Sequence, residues 1–477
     1  MEPWAKDWLE GQRKQGVKCL EIKVFGKNHY VYYSTTHWDK GLKKAVKTSD
    51  YLGKLDPVDG LIESGSRKKE QSDKVRNVKE YGNSMLLHES LADLKPLLME
   101  AFPDNWEEIY SLAMVRVSGY VPLKRVDSAW DKLYNPEGIC PNLSPKNLSN
   151  VLRDVGVDRV GQDQVFSSLL ENGQQLVYDL TSVFSRSMSI SQAERGYNKD
   201  KIQVPQINLA LLCNAESGLP TMIRSLPGSL KDIRTLHNSI SELDIRDKIL
   251  ILDRGFFSEE VMNFLSDQEI SYIIPARRNS NYYRTRIHLN EHLYYRDRLI
   301  RCGRRKDENK VLYLFEDQEL MAEENDTLYR KLDAGKISKE ELRVMMKRSG
   351  RILLISKLDV PGKTVYEYYK KREHVEKLFD SYKSALSSDR IYLQDNESVF
   401  GHVFISFLSL YAYSKIEQAL KKAELNSKFS PIDILFEFGK VYHYNLGEKD
   451  QITEAPRKLL DIESRMGLSI FPILVRS

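Results

Sequence analysis

Tyr369, Arg372, Glu376 and Lys383 follow one another at steps of three, four and seven residues. In a continuous α-helix those steps keep side chains on one stripe. The spacing therefore predicts one helix that points a phenol, two cations and a carboxylate at the same place. Thr364 and Glu367 stand at capping-box spacing after Pro361-Gly362, and Tyr368, Val375, Leu378, Phe379 and Tyr382 supply an apolar stripe for docking. A solvated polar helix face is the competing reading. Two more acids qualify as partners of Glu376. Asp179 lies in an apolar-polar alternating segment, and Asp253 ends the apolar run Ile249-Leu250-Ile251-Leu252. Crowded carboxylates repel one another unless cations neutralise them, so three acids drawn together predict a metal site. Hard oxygen ligands select Mg²⁺ or Mn²⁺. Two such ions, about 3.5–4 Å apart, can activate a water or a 3′-hydroxyl on one side of a phosphodiester and stabilise the leaving oxygen on the other.

The elements that must position these acids begin at residue 175. Residues 176–184, 207–213 and 222–226 read as three consecutive strands, with the turn 214–220 between the last two. A helix over 230–243, the doubly apolar strand 249–252, a helix opened by Ser258 and a strand over 272–274 follow. Three antiparallel strands followed by αβαβ is the order of a ribonuclease H-like domain, an α/β fold with a mixed five-stranded sheet. In that topology the strands of Asp179 and Asp253 are neighbours, and the helix of Glu376 packs beside them. The expected organisation is a β-module over 1–60, a linker over 61–83 and a helical, DNA-binding domain over 84–172. The core then occupies 173–276 and 351–425, interrupted by a largely β inserted subdomain over 277–350, and a C-terminal region covers 426–477.

The chain of 477 residues is 41% apolar and 29% charged with a formal net charge of +4, an ordinary soluble composition that says little about partners. The distribution says more. Residues 277–310 hold eleven Lys/Arg against four Asp/Glu, and 316–326 hold six acids and no base. Arg284, Arg286, Arg296, Arg298 and Arg301 alternate there with Tyr282, Tyr283, Tyr294 and Tyr295. Cations supply phosphate affinity and aromatics can stack on unpaired bases, so this tract is expected to be a DNA arm. A solvated hairpin with its tyrosines on its own core is the alternative. Four cysteines, Cys19, Cys140, Cys213 and Cys302, form no CxxC pair, which fits reduced thiols in a cytoplasm. The apolar run 403–413 is too short to span a bilayer and predicts a buried helix. His288-Leu-Asn-Glu291-His292 fits an inverted zinc-protease motif but lies in a strand-like tract. Gly362-Lys363-Thr364 resembles the end of a Walker A loop whose first Gly is replaced by Lys357.

Taken together, Tyr369, Arg372, Glu376 and Lys383 resemble the signature of the DDE transposases of bacterial and archaeal insertion sequences, in the insertion-sequence-four group. Asp179-Leu180-Thr181 is similar to that family's first acidic segment, and Ile251-Leu252-Asp253-Arg254-Gly255-Phe256 to its second. Gly401-His402-Val403-Phe404-Ile405 is similar to the helix after the family's Glu. Trp38-Asp39-Lys40 and Lys199-Asp200-Lys201 look like the subgroup with longer proteins, while Ser229 stands where that family has Asn. The resemblance covers most of residues 20–420. It implies cut-and-paste transposition, with Asp179, Asp253 and Glu376 as ligands of two Mg²⁺ or Mn²⁺ ions. It also implies that Tyr369, Arg372 and Lys383 hold DNA phosphates near the cut, and Arg254, beside Asp253, is a further expected DNA contact. The implied partners are the element's double-stranded inverted repeats, target DNA and a second copy of the chain, with no membrane. A metal-dependent nuclease without strand transfer and a catalytically silent DNA-binding regulator are the other readings.

Overall fold

The computed structural model describes residues 1–39, 44–63, 75–171, 173–185, 187, 189–196, 204–229, 233–240, 243–387, 390–391, 393–446 and 449–472. Lys40, Lys199-Asp200-Lys201 and residues 64–74 of the expected linker lie outside them. The chain divides into two compact units, Met1–Asn77 with Tyr444–Gln451, and Val78–His443 with Ile452–Ser477.

The first unit is not purely β. It opens with helix α1 (Pro3–Lys14), which the expected β-module lacked, started by a proline in its first turn. Strands β1 (Leu20–Phe25), β2 (Asn28–Asp39), β3 (Lys44–Asp56) and β4 (Gly60–Glu63) form an antiparallel sheet in that order. Ala5 of α1 shares a small core with Val31 and Leu55, flanked by Trp4, Trp8, Leu20 and Ile22. Strand β5 (Val75–Glu80) follows, so the ends of the expected linker are strand.

In the second unit, helices α2 (Gly82–Leu91), α3 (Leu94–Ala101), α4 (Trp106–Arg116), α5 (Leu123–Trp130), α6 (Pro145–Val157) and α7 (Arg159–Ser168) fill the span expected to be helical. They are not a separate domain. Their apolar side chains belong to the same core cluster as the sheet. That sheet begins with the meander β6 (Gln175–Ser185), β7 (Gln206–Asn214) and β8 (Pro220–Pro227). Helix α8 (Ile233–Ile240), strand β9 (Ile249–Leu252), helix α9 (Glu259–Asp267) and strand β10 (Ser271–Pro275) come next, with β9 parallel to both β6 and β10.

The segment expected to be an inserted subdomain instead continues this sheet. Strands β11 (Glu291–Tyr295), β12 (Arg298–Asp307) and β13 (Lys310–Asp317) are followed by helices α10 (Gln318–Asp333) and α11 (Lys339–Met346), then by β14 (Arg351–Ser356). Because β14 pairs antiparallel with both β10 and β13, the order runs β11-β12-β13-β14-β10-β9-β6-β7-β8. With the short β15 (Arg390–Ile391) beside β6 the sheet has ten strands, not five.

Helix α12 (Gly362–Lys370) and helix α13 (Glu373–Asp380) precede helix α14 (Asn396–Lys422). The Asp395 side chain caps α14 by accepting from the Ser398 amide at 2.8 Å. This 27-residue helix is longer than the run 403–413 and apolar enough to cross a bilayer by length, but 89% of its apolar window is buried inside the protein. Its approach to α6 depends on two glycines. A Cβ on Gly156 would stand 1.8 Å from the Glu397 carbonyl oxygen, and one on Gly401 would stand 1.9 Å from that of Leu152. The two helices thus meet backbone to backbone.

Candidate active site

Strand pairing brings the two aspartates together. In the parallel β6/β9 ladder Val177 stands opposite Ile251 and Tyr178 opposite Leu252, so the next position along each strand is an aspartate, Asp179 or Asp253. Asp179 is buried at 6% exposure, and its Oδ1 accepts from the Leu180 amide at 2.8 Å. Asp253 has extended backbone and leads into a 3-10 turn over Arg254–Phe256, whose Phe256 amide returns to the Asp253 carbonyl at 3.1 Å.

Glu376 does not come from one continuous helix, as its spacing predicted. Tyr369 ends on α12, and the chain then tightens into i−3 bonds, Arg372 to Tyr369 at 3.2 Å, His374 to Lys371 at 3.0 Å and Val375 to Arg372 at 3.1 Å. Helix α13 restarts after Arg372 and runs into a π-helical turn over Ser381–Ala385, which contains half-buried Lys383. Tight and wide turns change the residues per turn, so a stripe counted at 3.6 does not survive from Tyr369 to Lys383. The start differs too: Pro361 is the N-cap of α12 without a side-chain cap bond, and Thr364 lies inside the helix. What persists is the i,i+4 step. Arg372 Nη1 lies 3.2 Å from Glu376 Oε1 and also 3.2 Å from Asp253 Oδ1.

Arg372 is therefore the internal counter-ion of this cluster. Burial acts to lower its pKa, yet Asp253, Tyr369, Glu376 and Asp179 together raise it above the usual arginine value. Tyr369 packs behind it, 8% exposed, with its ring centroid 5.8 Å from the guanidinium carbon. Burial raises the Tyr369 phenol, so the hydroxyl stays protonated. Val375, Leu378, Phe379 and Tyr382 are buried as the apolar stripe predicted, and they anchor α13 and the π-turn to the core. Arg254 is half-buried next to Asp253, and its Nε is enclosed without a hydrogen-bond partner among the described residues.

The basic tract is largely engaged with the protein itself. Arg296 pairs with Glu373 at 2.8 Å, and Arg301 with Glu316 at 3.3 Å. Arg298 lies among Glu319 at 3.1 Å, Glu323 at 3.2 Å and Asp317 at 3.5 Å, acids of the run that followed it in sequence. Arg284 and Arg286 are exposed and make no ion pair among the described residues. Tyr283 is tied to β14, where its hydroxyl accepts from the Leu353 amide at 3.1 Å, while Tyr294 is 67% exposed. The zinc-protease spacing falls on a loop and on β11, not on a helix.

Among the described residues no group of three or more His, Cys, Asp or Glu is arranged to hold a metal ion. Asp253 and Glu376 each pair with Arg372. Two carboxylates held on one positive group, with Asp179 near enough to add to the field at Arg372, are hard oxygen donors of the kind a divalent cation takes. The bridging position of Arg372 is the feature sequence reasoning missed. Its i,i+4 relation to Glu376 was visible, but the contact with Asp253 requires the tertiary fold.

A family model for the transposase DDE domain matches residues 171–412, just over half of the chain, and contains all three acids. No curated protein matches. A cryo-EM structure of a piggyBac transposase synaptic complex with hairpin DNA aligns over 83% of this chain and 87% of its own, at 13% identity and a TM-score of 0.39. The family model carries the assignment, and the chain belongs to the DDE-domain transposases.

Proposed function

We propose that this transposase excises an insertion sequence and joins it to target DNA, with Asp179, Asp253 and Glu376 as the ligands of two Mg²⁺ or Mn²⁺ ions. The observation that carries this reading is the convergence of Asp253 and Glu376 on Arg372 Nη1, with Asp179 next to Asp253 across the parallel ladder. The strand order β8-β7-β6-β9-β10, with three antiparallel and then parallel neighbours, supports a ribonuclease H-like core. The sequence signature supports the insertion-sequence-four group.

When bound, the ions supply the charge that activates a water or 3′-hydroxyl and stabilises the leaving oxygen. The chain supplies the rest. Asp179, set rigidly in the sheet by its own strand and the Leu180 amide, fixes one wall of the site. Glu376 rides on α13, and with Asp253 and Glu376 holding the ions Arg372 would be free to turn its fork to a phosphate oxygen of the cut strand. In hydrolysis the water oxygen bonds to phosphorus as the bond to the 3′-oxygen breaks, freeing a 3′-hydroxyl. That hydroxyl then attacks a target phosphodiester, with one P–O bond formed and one broken. In this reading Lys383 and Arg254 screen the flanking phosphates, Arg284 and Arg286 extend the DNA contact, and two copies bridge the two ends in the cytoplasm. Arg296, Arg298 and Arg301 would reach DNA only by exchanging their present acidic partners.

The test is end cleavage and strand joining by purified protein on its own inverted repeats in Mg²⁺. Full activity of Asp253→Ala or Glu376→Ala would refute the active-site assignment, and cleavage with no joined product would reduce the activity to that of a nuclease.

A further inference from the structure

The chemistry above leaves the N-terminal unit without a task. Helix α1 covers one face of its sheet, through Ala5, Trp4 and Trp8. The opposite face carries an unbroken row of four rings from three strands. Phe25 and Tyr30 lie 5.9 Å apart between centroids, Tyr30 and Tyr51 5.9 Å, and Tyr51 and Tyr32 5.3 Å. Cross-strand aromatic pairs stabilise a sheet, yet this row is left open to solvent, with Phe25 60% and Tyr51 43% exposed.

Cations border the row. The register places Tyr30 between Lys23 of β1 and Lys54 of β3, on the same face as both. Lys23 Nζ stands 4.3 Å from the Tyr32 ring centroid, and Lys47 pairs with Glu21 at 2.6 Å farther along the sheet. A purely apolar partner would have to desolvate these ammonium groups without return. A strand of nucleic acid offers both complements, π-faces for the rings and phosphates for the lysines. Duplex bases keep their faces stacked on one another, so only an unpaired strand presents them.

We infer that the outer face of the N-terminal sheet, built from Phe25, Tyr30, Tyr32 and Tyr51 with Lys23 and Lys54, is a binding platform for an unpaired DNA strand. The choice of DNA rests on the function proposed above; the platform itself does not depend on the acids of the second unit. The experiment uses the full chain and fluorescence anisotropy with a labelled 20-mer of dT and a duplex of equal length. The Phe25→Ala/Tyr51→Ala variant is expected to lose at least about tenfold in affinity for dT, the size expected for lost base stacking. Its duplex affinity and melting temperature should stay at wild-type values, and Tyr51→Phe should retain strand binding. Unchanged dT affinity, an equal loss on duplex, or tighter binding of a 20-mer of U would overturn the inference. End cleavage is measured separately, so failure of the transposase reading and failure of the platform give different results.

Discussion

Arg372 is joined to Asp253 by a 3.2 Å ion pair that crosses from the helical segment to the end of β9, and the same nitrogen holds Glu376. A side chain that neutralises two acids also competes with any cation for them. Arg372→Met is therefore expected to bind Mn²⁺ more tightly than the wild type by isothermal titration. Its end cleavage should fall by at least about tenfold, because the phosphate-directed charge is gone. Weaker Mn²⁺ binding in the variant would rule out the competition.

Asp179→Asn and Glu376→Gln keep shape and remove charge. Each should lower end cleavage by more than the roughly 10- to 100-fold typical of losing an outer partner of a metal ligand, with circular dichroism unchanged. Cleavage within tenfold of wild type in either variant would remove that residue from the site.

Tyr369 is too enclosed to meet a phosphate directly in this conformation, and it packs against Arg372. Its hydroxyl is hydrogen-bonded to the Arg372 side chain, so Tyr369→Phe should cost about 0.5–1.5 kcal/mol of stability, the net worth of a hydrogen bond. DNA affinity should be preserved while the cleavage rate drops. A loss of affinity with the rate intact would make the phenol a direct DNA contact instead.

The fold also has a built-in acid sensitivity. Burial, with Lys95 acting in the same sense, holds buried His88 down to about 4, and burial beside Arg116 takes His402 well below its usual value. Both imidazoles are neutral when folded, while the unfolded chain takes up protons as pH falls through about 6.5. Stability is thus complete above about 6.5 and declines with falling pH until the folded His88 itself titrates near 4, by roughly 3 kcal/mol for that residue. Denaturant melts at pH 7 and pH 5 should show the decline, and His88→Asn should flatten it.

The glycine contact between α6 and α14 gives a mutation with a clear sign. Gly401→Ala places a methyl group against the Leu152 carbonyl, where neither helix backbone can yield locally. A loss of at least about 1–3 kcal/mol is expected, the cost of overpacking. A melting temperature equal to wild type would mean that α14 shifts freely along α6.

Local order was legible where one period governed a segment. The alternating run of β6, the doubly apolar β9 and the buried run inside α14 all carried their burial in their residue types. Asp179 and Asp253 could be placed as neighbours because adjacent strands set them there. The helix of Glu376 was misread as continuous because spacing alone contains no sign of the tight turn at Arg372 or the wide turn at Ser381–Ala385. The arginines at 296, 298 and 301 looked available because their partners, Glu373 on α13 and the acids at 316–323 on β13 and α10, meet them only when these elements fold against β11 and β12. The join of β14 to β10 was equally invisible, since the residue types of a strand do not say which two neighbours it will take.

That join bears on how the chain tolerates change in length. Strands added beyond β14 extend the ladder outward by one hairpin at a time, and none of them passes between β6 and β9. Extra chain between β10 and β14 is thereby accommodated by accretion at an open rim, so lineages could lengthen or trim this region while the spacing of the two aspartates stayed untouched.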